Sequence, residues 1–292
     1  MSKSLLLMSN FNANDNQVRG GIYLCQANKT VSCGACCGLY NVADPSYESI
    51  MEMLTWRTDS FLHVKRDMDA ILTFKEKVED REPQKRPFHE FYHCPYIGLV
   101  GKERSRVGCL LHPLLDENKG IDFRGLSFYG GMACRVYFCP TYNNLPAVFK
   151  EIVRETASNW YAYGLVITET KLLNTIFEEV ENCLNRPLTK NDILKNKNTL
   201  DAVKKLLDLK INWPFRRRSS SGPTNYFFED QLYSRSPVNY ETIGESVSRH
   251  DTMLQELESQ FNSANELHAA EDLIDGLINE VINQVDRLKV EG

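Results

Sequence analysis

The sequence predicts an α+β protein, rich in helix, in which an irregular, loop-rich domain packs with helices and is followed by a helical C-terminal region. Three observations favour this fold class. Apolar residues recur at spacings of three and four in several segments, which is typical of amphipathic helices. Residues 85–142 are instead punctuated by glycine and proline, with short apolar runs between them. Eight of the nine cysteines lie in the first half of the chain, in short groups.

The first helical region is predicted at 46–80, where apolar residues alternate with charged ones at helical spacing. Pro83 ends it, because proline lacks the amide hydrogen that a continuing helix would use. Residues 146–184 predict two helices broken near Gly164, and a shorter helix follows at 198–209. These segments surround the loop-rich part of the chain on both sides.

The last part of the chain differs in charge from the rest. The 292 residues have a formal net charge of −5. Residues 229–292 contain 14 acidic and 4 basic residues, a net of −10, which leaves +5 for residues 1–228. The segment 216–223 has the composition of a flexible linker, and an acidic helix is predicted from about 250 to 289. The acidic overall charge argues against nucleic acid as a partner.

The sequence shows no targeting or membrane segment. The apolar run at residues 5–8 is shorter than the roughly 7–15 apolar residues of a secretory signal. No stretch approaches the roughly 18 apolar residues of a membrane helix. We therefore expect a cytoplasmic location and no membrane partner. In a reducing compartment, clustered cysteines indicate metal binding or catalysis rather than disulfides.

The cysteines have the spacing of metal ligands. Cys33-x-x-Cys36 places two thiolates within reach of one ion, since a two-residue gap lets the backbone turn between them. Cys37 follows directly, and adjacent cysteines suit two metal centres or a polynuclear cluster better than one tetrahedral ion. Gly34 and Gly38 permit backbone angles that other residues resist. The predicted metal ligands are Cys25, Cys33, Cys36, Cys37, Cys94, Cys109, Cys134 and Cys139.

His112 is a further candidate ligand, because it lies three residues after Cys109. Cys183 lies in an apolar helical segment and is expected to be a small buried hydrophobic residue. Four thiolates around zinc or a 4Fe–4S cluster leave a charge of about −2 to be offset. Five basic residues near the cysteines are candidates for that role or, equally, for binding an anionic substrate: Lys102, Arg104, Arg106, Arg124 and Arg135.

Taken in order, the cysteine groups resemble the YkgJ-like cysteine-cluster family, described as zinc- or iron-chelating domains. The groups are Cys33-Gly-Ala-Cys36-Cys37-Gly38, Cys94-Pro-Tyr-Ile-Gly98, Gly108-Cys109-Leu-Leu-His112-Pro113 and Cys134-x4-Cys139. The resemblance covers roughly residues 22–142 and implies metal chelation through the matched cysteines. The interval between Cys25 and Cys33 is longer than the family leads us to expect. Flagellin lysine N-methylases are similar in containing such a region, which implies an enzyme as an alternative.

The predicted function is metal binding, with no reaction assigned. An iron–sulfur cluster of the 4Fe–4S type is favoured over zinc or iron ions, because eight cysteines with an adjacent pair exceed what one four-cysteine zinc site uses. The alternative is a metal- or iron–sulfur-dependent enzyme for redox or group-transfer chemistry, such as a protein lysine N-methylase. The expected partners are the metal ion or cluster and a protein bound by the acidic C-terminal helix.

Three regions are therefore predicted. Residues 1–145 form a cysteine-cluster metal-binding domain with a helical insertion at about 46–80, residues 146–214 form a helical region, and residues 215–292 form a linker and an acidic helical tail. We expect metal to order the loops of the first domain, because a loop-dominated segment with only short apolar runs needs cross-links to offset its conformational entropy.

Overall fold

A computed structural model describes residues 14–228 and 232–290, and confirms a helix-rich α+β protein. Two short strands, β1 (Ile97–Val100) and β2 (Arg106–Cys109), form an antiparallel hairpin. No helix in the described part of the chain is long and apolar enough to cross a membrane. The helices are α1 (Tyr47–Leu62), α2 (Met68–Arg81), α3 (Gly130–Val136), α4 (Thr141–Asn144), α5 (Ala147–Thr156), α6 (Trp160–Val166), α7 (Thr170–Leu184), α8 (Lys190–Leu194), α9 (Lys197–Leu207), α10 (Leu209–Asn212), α11 (Tyr240–Ile243), α12 (Asp251–Glu256) and α13 (Ala264–Val290).

The helical region predicted at 46–80 consists of two helices, α1 and α2. Ser46 and Asp67 cap their amino termini, each accepting a hydrogen bond from a main-chain amide three residues later, at 3.4 and 2.9 Å. Such side chains satisfy amides that have no partner in the first turn of a helix. As predicted, α2 ends just before Pro83, at Arg81. Asp67, as the cap at the start of α2, therefore marks the point where the predicted helical region 46–80 divides into two helices.

The predicted break near Gly164 is wrong. The segment 146–184 contains three helices, α5, α6 and α7, and Asn159 caps α6 by accepting a hydrogen bond from a main-chain amide at 2.9 Å. Gly164 lies inside α6, where an added Cβ atom would be 2.2 Å from the hydroxyl oxygen of Tyr40. That hydroxyl bonds to two main-chain carbonyl oxygens of α6 at 3.1 and 3.2 Å. The glycine makes room for a side chain from the cysteine-bearing part of the chain.

One cluster of buried apolar side chains contains residues from all three predicted regions. Leu24 and Val31 come from the first region, Phe177 from the second, and Ile274 and Val281 from the third. The predicted C-terminal helix is divided into α12 and α13, and α13 packs on α7 and α9. The acidic tail therefore buries an apolar face within the chain itself.

The segment 216–223 is not a free linker, contrary to its composition. The Arg217 amide donates a hydrogen bond to the main-chain oxygen of Glu258 at 2.9 Å. The Gln260 amide donates to the main-chain oxygen of Phe215 at 3.0 Å. The Ser220 hydroxyl donates to the Glu258 carboxylate at 3.1 Å. Serine and glycine here form a turn that is fastened to the chain after α12, rather than a mobile connection.

Arg57 of α1 is fully buried and fixes the loop that precedes the hairpin. Its guanidinium forms a salt bridge with Glu82, with Nε 2.7 Å from the carboxylate, and donates to the main-chain oxygen of Cys94 at 2.9 Å. Nη2 of Arg57 lies 2.6 Å from Nε2 of His93. Burial, and then the charge of Arg57, holds the pKa of His93 well below its usual value, so the ring is neutral. Its Nδ1 therefore donates to the main-chain oxygen of Gly38 at 2.7 Å.

Replacing Glu82 by alanine should lower the free energy of unfolding by about 3–5 kcal/mol, because it leaves the buried Arg57 guanidinium without its counter-charge. Urea denaturation followed by circular dichroism measures this loss. Glu90→Ala is the matched control, since that side chain is exposed and its ion partner is the exposed His89. Equal stability of the two variants would contradict the role assigned to the Arg57–Glu82 pair.

Candidate metal centre

The turn Cys33–Cys37 lies directly against the segment that contains Cys94. Residues Ala35–Cys37 form one turn of 3-10 helix, and the Cys37 amide donates to the main-chain oxygen of Gly34 at 3.1 Å. The Cys94 amide donates to the main-chain oxygen of Cys37 at 2.8 Å. Two cysteine groups that are distant in sequence are thereby joined through the backbone.

Gly38 makes this close approach possible. Its φ is 72°, in the left-handed region that favours glycine, and an added Cβ atom would lie 2.3 Å from the main-chain oxygen of Tyr92. Both the conformation and the lack of a side chain are therefore needed here. The glycine that the sequence places after the cysteine pair is required by the geometry of the site.

Cys25 is joined to the same turn despite its distance in sequence. The Cys33 amide donates to the main-chain oxygen of Cys25 at 2.8 Å, which closes the loop between them. Within that loop the Asn28 side-chain oxygen accepts hydrogen bonds from the amides of residues 30 and 31, at 2.9 and 2.8 Å. The longer interval is thus taken up by a side-chain-stabilised turn. Its length does not separate Cys25 from the other cysteines.

The hairpin positions Cys109 beside Cys94. Cys109 pairs with Ile97 in the register of β1 and β2, and the Leu110 amide donates to the main-chain oxygen of Tyr96 at 2.8 Å. Cys94 lies just before β1, and Cys109 ends β2. The antiparallel pairing therefore brings the two cysteines to the same end of the hairpin.

Cys134 and Cys139 lie in and after the short helix α3. The Cys134 sulfur is 3.2 Å from the Ser127 hydroxyl, and its side chain is exposed. Cys139 is partly buried, and its main-chain oxygen accepts a hydrogen bond from the Tyr142 amide at 3.1 Å. The Tyr142 hydroxyl is in turn 3.4 Å from the Cys25 sulfur. Tyr142 therefore links Cys139 to Cys25.

Four of the cysteines influence one another electrostatically, and we call them the first set. Burial raises the pKa of the Cys25 thiol to about 12, with further upward contributions from charge on Cys36 and Cys139. Burial also raises the pKa of Cys33 well above its usual value, again with contributions from Cys36 and Cys139. The first set consists of Cys25, Cys33, Cys36 and Cys139.

The other four form the second set. Burial raises the pKa of the Cys94 thiol to about 11, and the charges of Cys134 and Cys36 add to this effect. Burial likewise raises the pKa of Cys109, with contributions from Cys94 and Cys134. The charges that act on Cys37 from outside its own turn are those of Cys94 and Cys109. The second set consists of Cys37, Cys94, Cys109 and Cys134.

The two sets meet at the adjacent pair. The side chains of Cys36 and Cys37 are hydrogen-bonded to each other, which lowers the pKa of Cys36 and raises that of Cys37. Packing follows the same division in part, although Cys33 and Cys37 also share the cluster that contains Leu39 and Tyr40. Three members of the first set pack on the main apolar core, whereas three members of the second set belong to a smaller core beneath α1 and α2. The first three are Cys25, Cys33 and Cys139, and the second three are Cys37, Cys94 and Cys109.

Three cations lie near these thiols. Lys150 of α5 is buried, its Nζ is 2.8 Å from the main-chain oxygen of Tyr142, and it interacts with the charge of Cys139. Arg57 interacts with Cys94. Arg124 interacts with Cys109 and Cys134. Arg124 was among the five basic residues named from the sequence. Lys150 and Arg57 were not, because the helical pattern around them does not indicate that these two side chains are buried.

The remaining candidates have other roles. Nδ1 of His112 accepts a hydrogen bond from the Leu114 amide at 3.2 Å, which leaves Nε2 as the nitrogen available to a ligand. His93 has both ring nitrogens engaged, as described above. Cys183 is exposed near the end of α7, so the prediction of a buried hydrophobic residue is wrong. Residue 183 follows the helical periodicity of α7, seven residues after the buried Ile176, but it lies in the last turn of the helix and remains exposed.

The thiols are gathered but not drawn together to bonding distance. Within residues 14–228 and 232–290, no three histidine, cysteine, aspartate or glutamate side chains are placed so that they could hold one metal ion. Comparisons of the chain with protein-family models, with curated proteins and with solved structures gave no match. Function must therefore be inferred from the chemistry of this chain's own residues.

Replacing Gly38 by alanine should lower the free energy of unfolding by more than about 2 kcal/mol, because a positive φ alone costs an L-residue roughly 1–2 kcal/mol and the Tyr92 oxygen adds a steric clash. Gly120→Ala is the matched control, since Gly120 has a φ of 79° but no atom within 4 Å of an added Cβ. Chemical denaturation of both variants measures the difference. Equal losses would show that the close approach at Gly38 is unimportant.

Proposed function

We propose that this protein binds metal through eight cysteines, arranged as two four-cysteine centres that correspond to the first and second sets. The grouping of these thiols by both electrostatic interaction and packing supports the proposal most directly. Soft thiolate ligands suit zinc or iron–sulfur clusters. The two centres would be joined at Cys36 and Cys37, so one 3-10 turn would provide a ligand to each.

The surroundings of the thiols fit a negatively charged metal centre. A four-thiolate site around zinc or around an oxidised 4Fe–4S cluster has a net charge of about −2. Lys150 is placed to offset this charge beside the first set, whereas beside the second set Arg57 and Arg124 are already paired with the carboxylates of Glu82 and Asp122. Among the described residues, no carboxylate is one of the largest influences on the pKa of Cys25, Cys33, Cys94 or Cys109. The donor set and its neighbours are therefore those of a soft, anionic site.

An iron–sulfur cluster remains our preferred occupant, with zinc or iron ions as the other case. A 4Fe–4S cluster takes four cysteine thiolates, as each set offers. Beside the first set, Tyr142 and Tyr163 are buried, whereas Tyr137 is 41% exposed. The buried tyrosines would exclude water from one side of a cluster, and such exclusion protects it from hydrolysis. A bound cluster would supply one-electron chemistry or a Lewis-acidic iron.

A cleft beside Cys109 favours a second function, that of a metal- or iron–sulfur-dependent enzyme. The cleft has a volume of about 940 Å³ and is lined by Cys109 and His112, with Arg66 and Arg106 among its basic residues. None of the other seven cysteines of the two sets lines it. A substrate in this cleft would reach the second centre from the hairpin side, where redox or group-transfer chemistry would be possible.

Anaerobic purification followed by metal and sulfide analysis tests the proposed function. Two 4Fe–4S clusters would give about eight iron and eight sulfide per chain, and two zinc sites would give about two zinc. Cys36→Ser should remove about half of the metal, and Cys37→Ser the other half, because each residue belongs to a different set.

Cys183→Ser is the matched control and should keep all of the metal, since that thiol is exposed and outside both sets. Loss of all metal in Cys36→Ser alone would contradict two separate centres and indicate one cluster shared by both sets. A folded wild-type protein with neither iron nor zinc, even after reconstitution under reducing conditions, would overturn metal binding altogether.

Replacing Lys150 by methionine should weaken metal retention at the first centre by roughly tenfold, because it removes one charge interaction from a buried site. Competition with a chelator measures the change. Lys190→Met is the matched control, since Lys190 is half-exposed and pairs with Glu151 at 3.4 Å. Unchanged retention in Lys150→Met would show that this ammonium does not stabilise the metal centre.

A further inference from the structure

A second pocket lies away from the cysteines. It has a volume of about 390 Å³ and is formed by the loop after α2, the turn at 217–224 and the segment 234–236. No cysteine lines it. Its volume is in the range of small-molecule sites. Its lining is distinctive in charge, with four basic side chains and one acidic one.

The one carboxylate in the lining, that of Glu258, is already neutralised. Nη1 of Arg235 donates to it at 2.8 Å, and the hydroxyls of Ser220 and Thr224 donate at 3.1 and 3.4 Å. Glu258 has a φ of 61°, an unfavourable conformation for this residue type, so these contacts hold it in place. Its oxygens are therefore occupied within the protein.

Arg235 belongs to a buried network of ion pairs, in which carboxylates of the protein itself offset its charge. Its guanidinium contacts Glu169 at 3.1 Å, Glu256 at 3.4 Å and Glu258 at 2.8 Å. Lys210, which is fully buried, lies 3.0 Å from Glu169. Arg216 adds the third cation, 4.0 Å from Glu258. Three carboxylates thus face three buried cations, and the exposed Lys171 adds a fourth cation, 3.4 Å from Glu256.

The other three basic side chains of the pocket have no such compensation. Arg217 and Lys85 have no carboxylate partner among the described residues, and Arg86 contacts only the neutral Gln84 side chain, at 3.1 Å. Besides Ser220 and Thr224, which donate to Glu258, four serine hydroxyls line the same space, those of Ser219, Ser221, Ser234 and Ser236. Among the described residues, the pocket therefore concentrates positive charge and hydrogen-bond donors, and its one carboxylate is already engaged.

We propose that this pocket binds the phosphate group of a small phosphorylated molecule. Arginine is suited to phosphate because its planar fork donates two parallel hydrogen bonds to two oxygens. A dianion with several acceptor oxygens matches three uncompensated cations and a row of hydroxyls better than a single carboxylate does. Pro87 and Phe88 form an apolar wall for the organic part of such a ligand.

Isothermal titration of the full-length, metal-loaded protein with inorganic phosphate, pyrophosphate and ATP tests the proposal. We expect saturable binding that is tighter for pyrophosphate or ATP than for phosphate. Arg217→Ala should weaken it by roughly tenfold or more, the usual effect of losing one charge-assisted contact. Arg218→Ala is the matched control, since it is the adjacent residue, is exposed, and does not line the pocket. It should change affinity less than about twofold.

Three results would overturn the proposal. The first is the absence of binding by the wild-type protein to all three probes. The second is equal weakening in Arg217→Ala and Arg218→Ala, which would indicate diffuse attraction of anions. The third is binding of a single-stranded oligonucleotide that is tighter than that of ATP, which would indicate a nucleic acid surface instead. The same titrations on a Cys36→Ser variant separate this site from the metal centre, because binding there should be unchanged if the variant remains folded.

Discussion

The structure depends on one backbone contact, the hydrogen bond from the Cys94 amide to the main-chain oxygen of Cys37. It joins the cysteine turn to the segment before the hairpin, and hence to Cys109. Gly38 permits the approach and the buried Arg57 guanidinium maintains it from the other side, through the main-chain oxygen of Cys94 and the neutral His93 ring. Loss of any of these would separate the second set before any metal was bound.

The same arrangement explains why loop-rich sequence can be well ordered here. Each cysteine group is held by a different kind of support: Cys25 by a side-chain-stabilised turn, Cys109 by a strand, and Cys134 and Cys139 by the region around α3 and Tyr142. Much of the positioning therefore comes from ordinary hydrogen bonds and apolar packing. Metal, on our proposal, would complete the geometry by drawing together thiols that are already neighbours.

The sequence predicted the helical segments well, because periodicity is a local signal. It failed where a distant residue decides the outcome. Gly164 is typical of a break between helices, but in the structure it makes room for Tyr40 inside a helix. The serine-rich turn has the composition of a linker, but Ser220 is hydrogen-bonded to Glu258. Lys150 could not have been selected at all, because the burial of a helix lysine depends on tertiary packing alone. The division of the thiols into two sets has the same origin.

The shared apolar core has a consequence for the order of events during synthesis. Leu24 and Val31, which flank Cys25, belong to the same buried cluster as Val281 and Val285 of the last helix. Their support comes from segments that are far apart in the sequence, so it is incomplete until α13 has been synthesised. The nascent thiols would stay accessible to oxidants throughout that interval. A reducing environment, or early delivery of metal, would then matter most before α13 is synthesised.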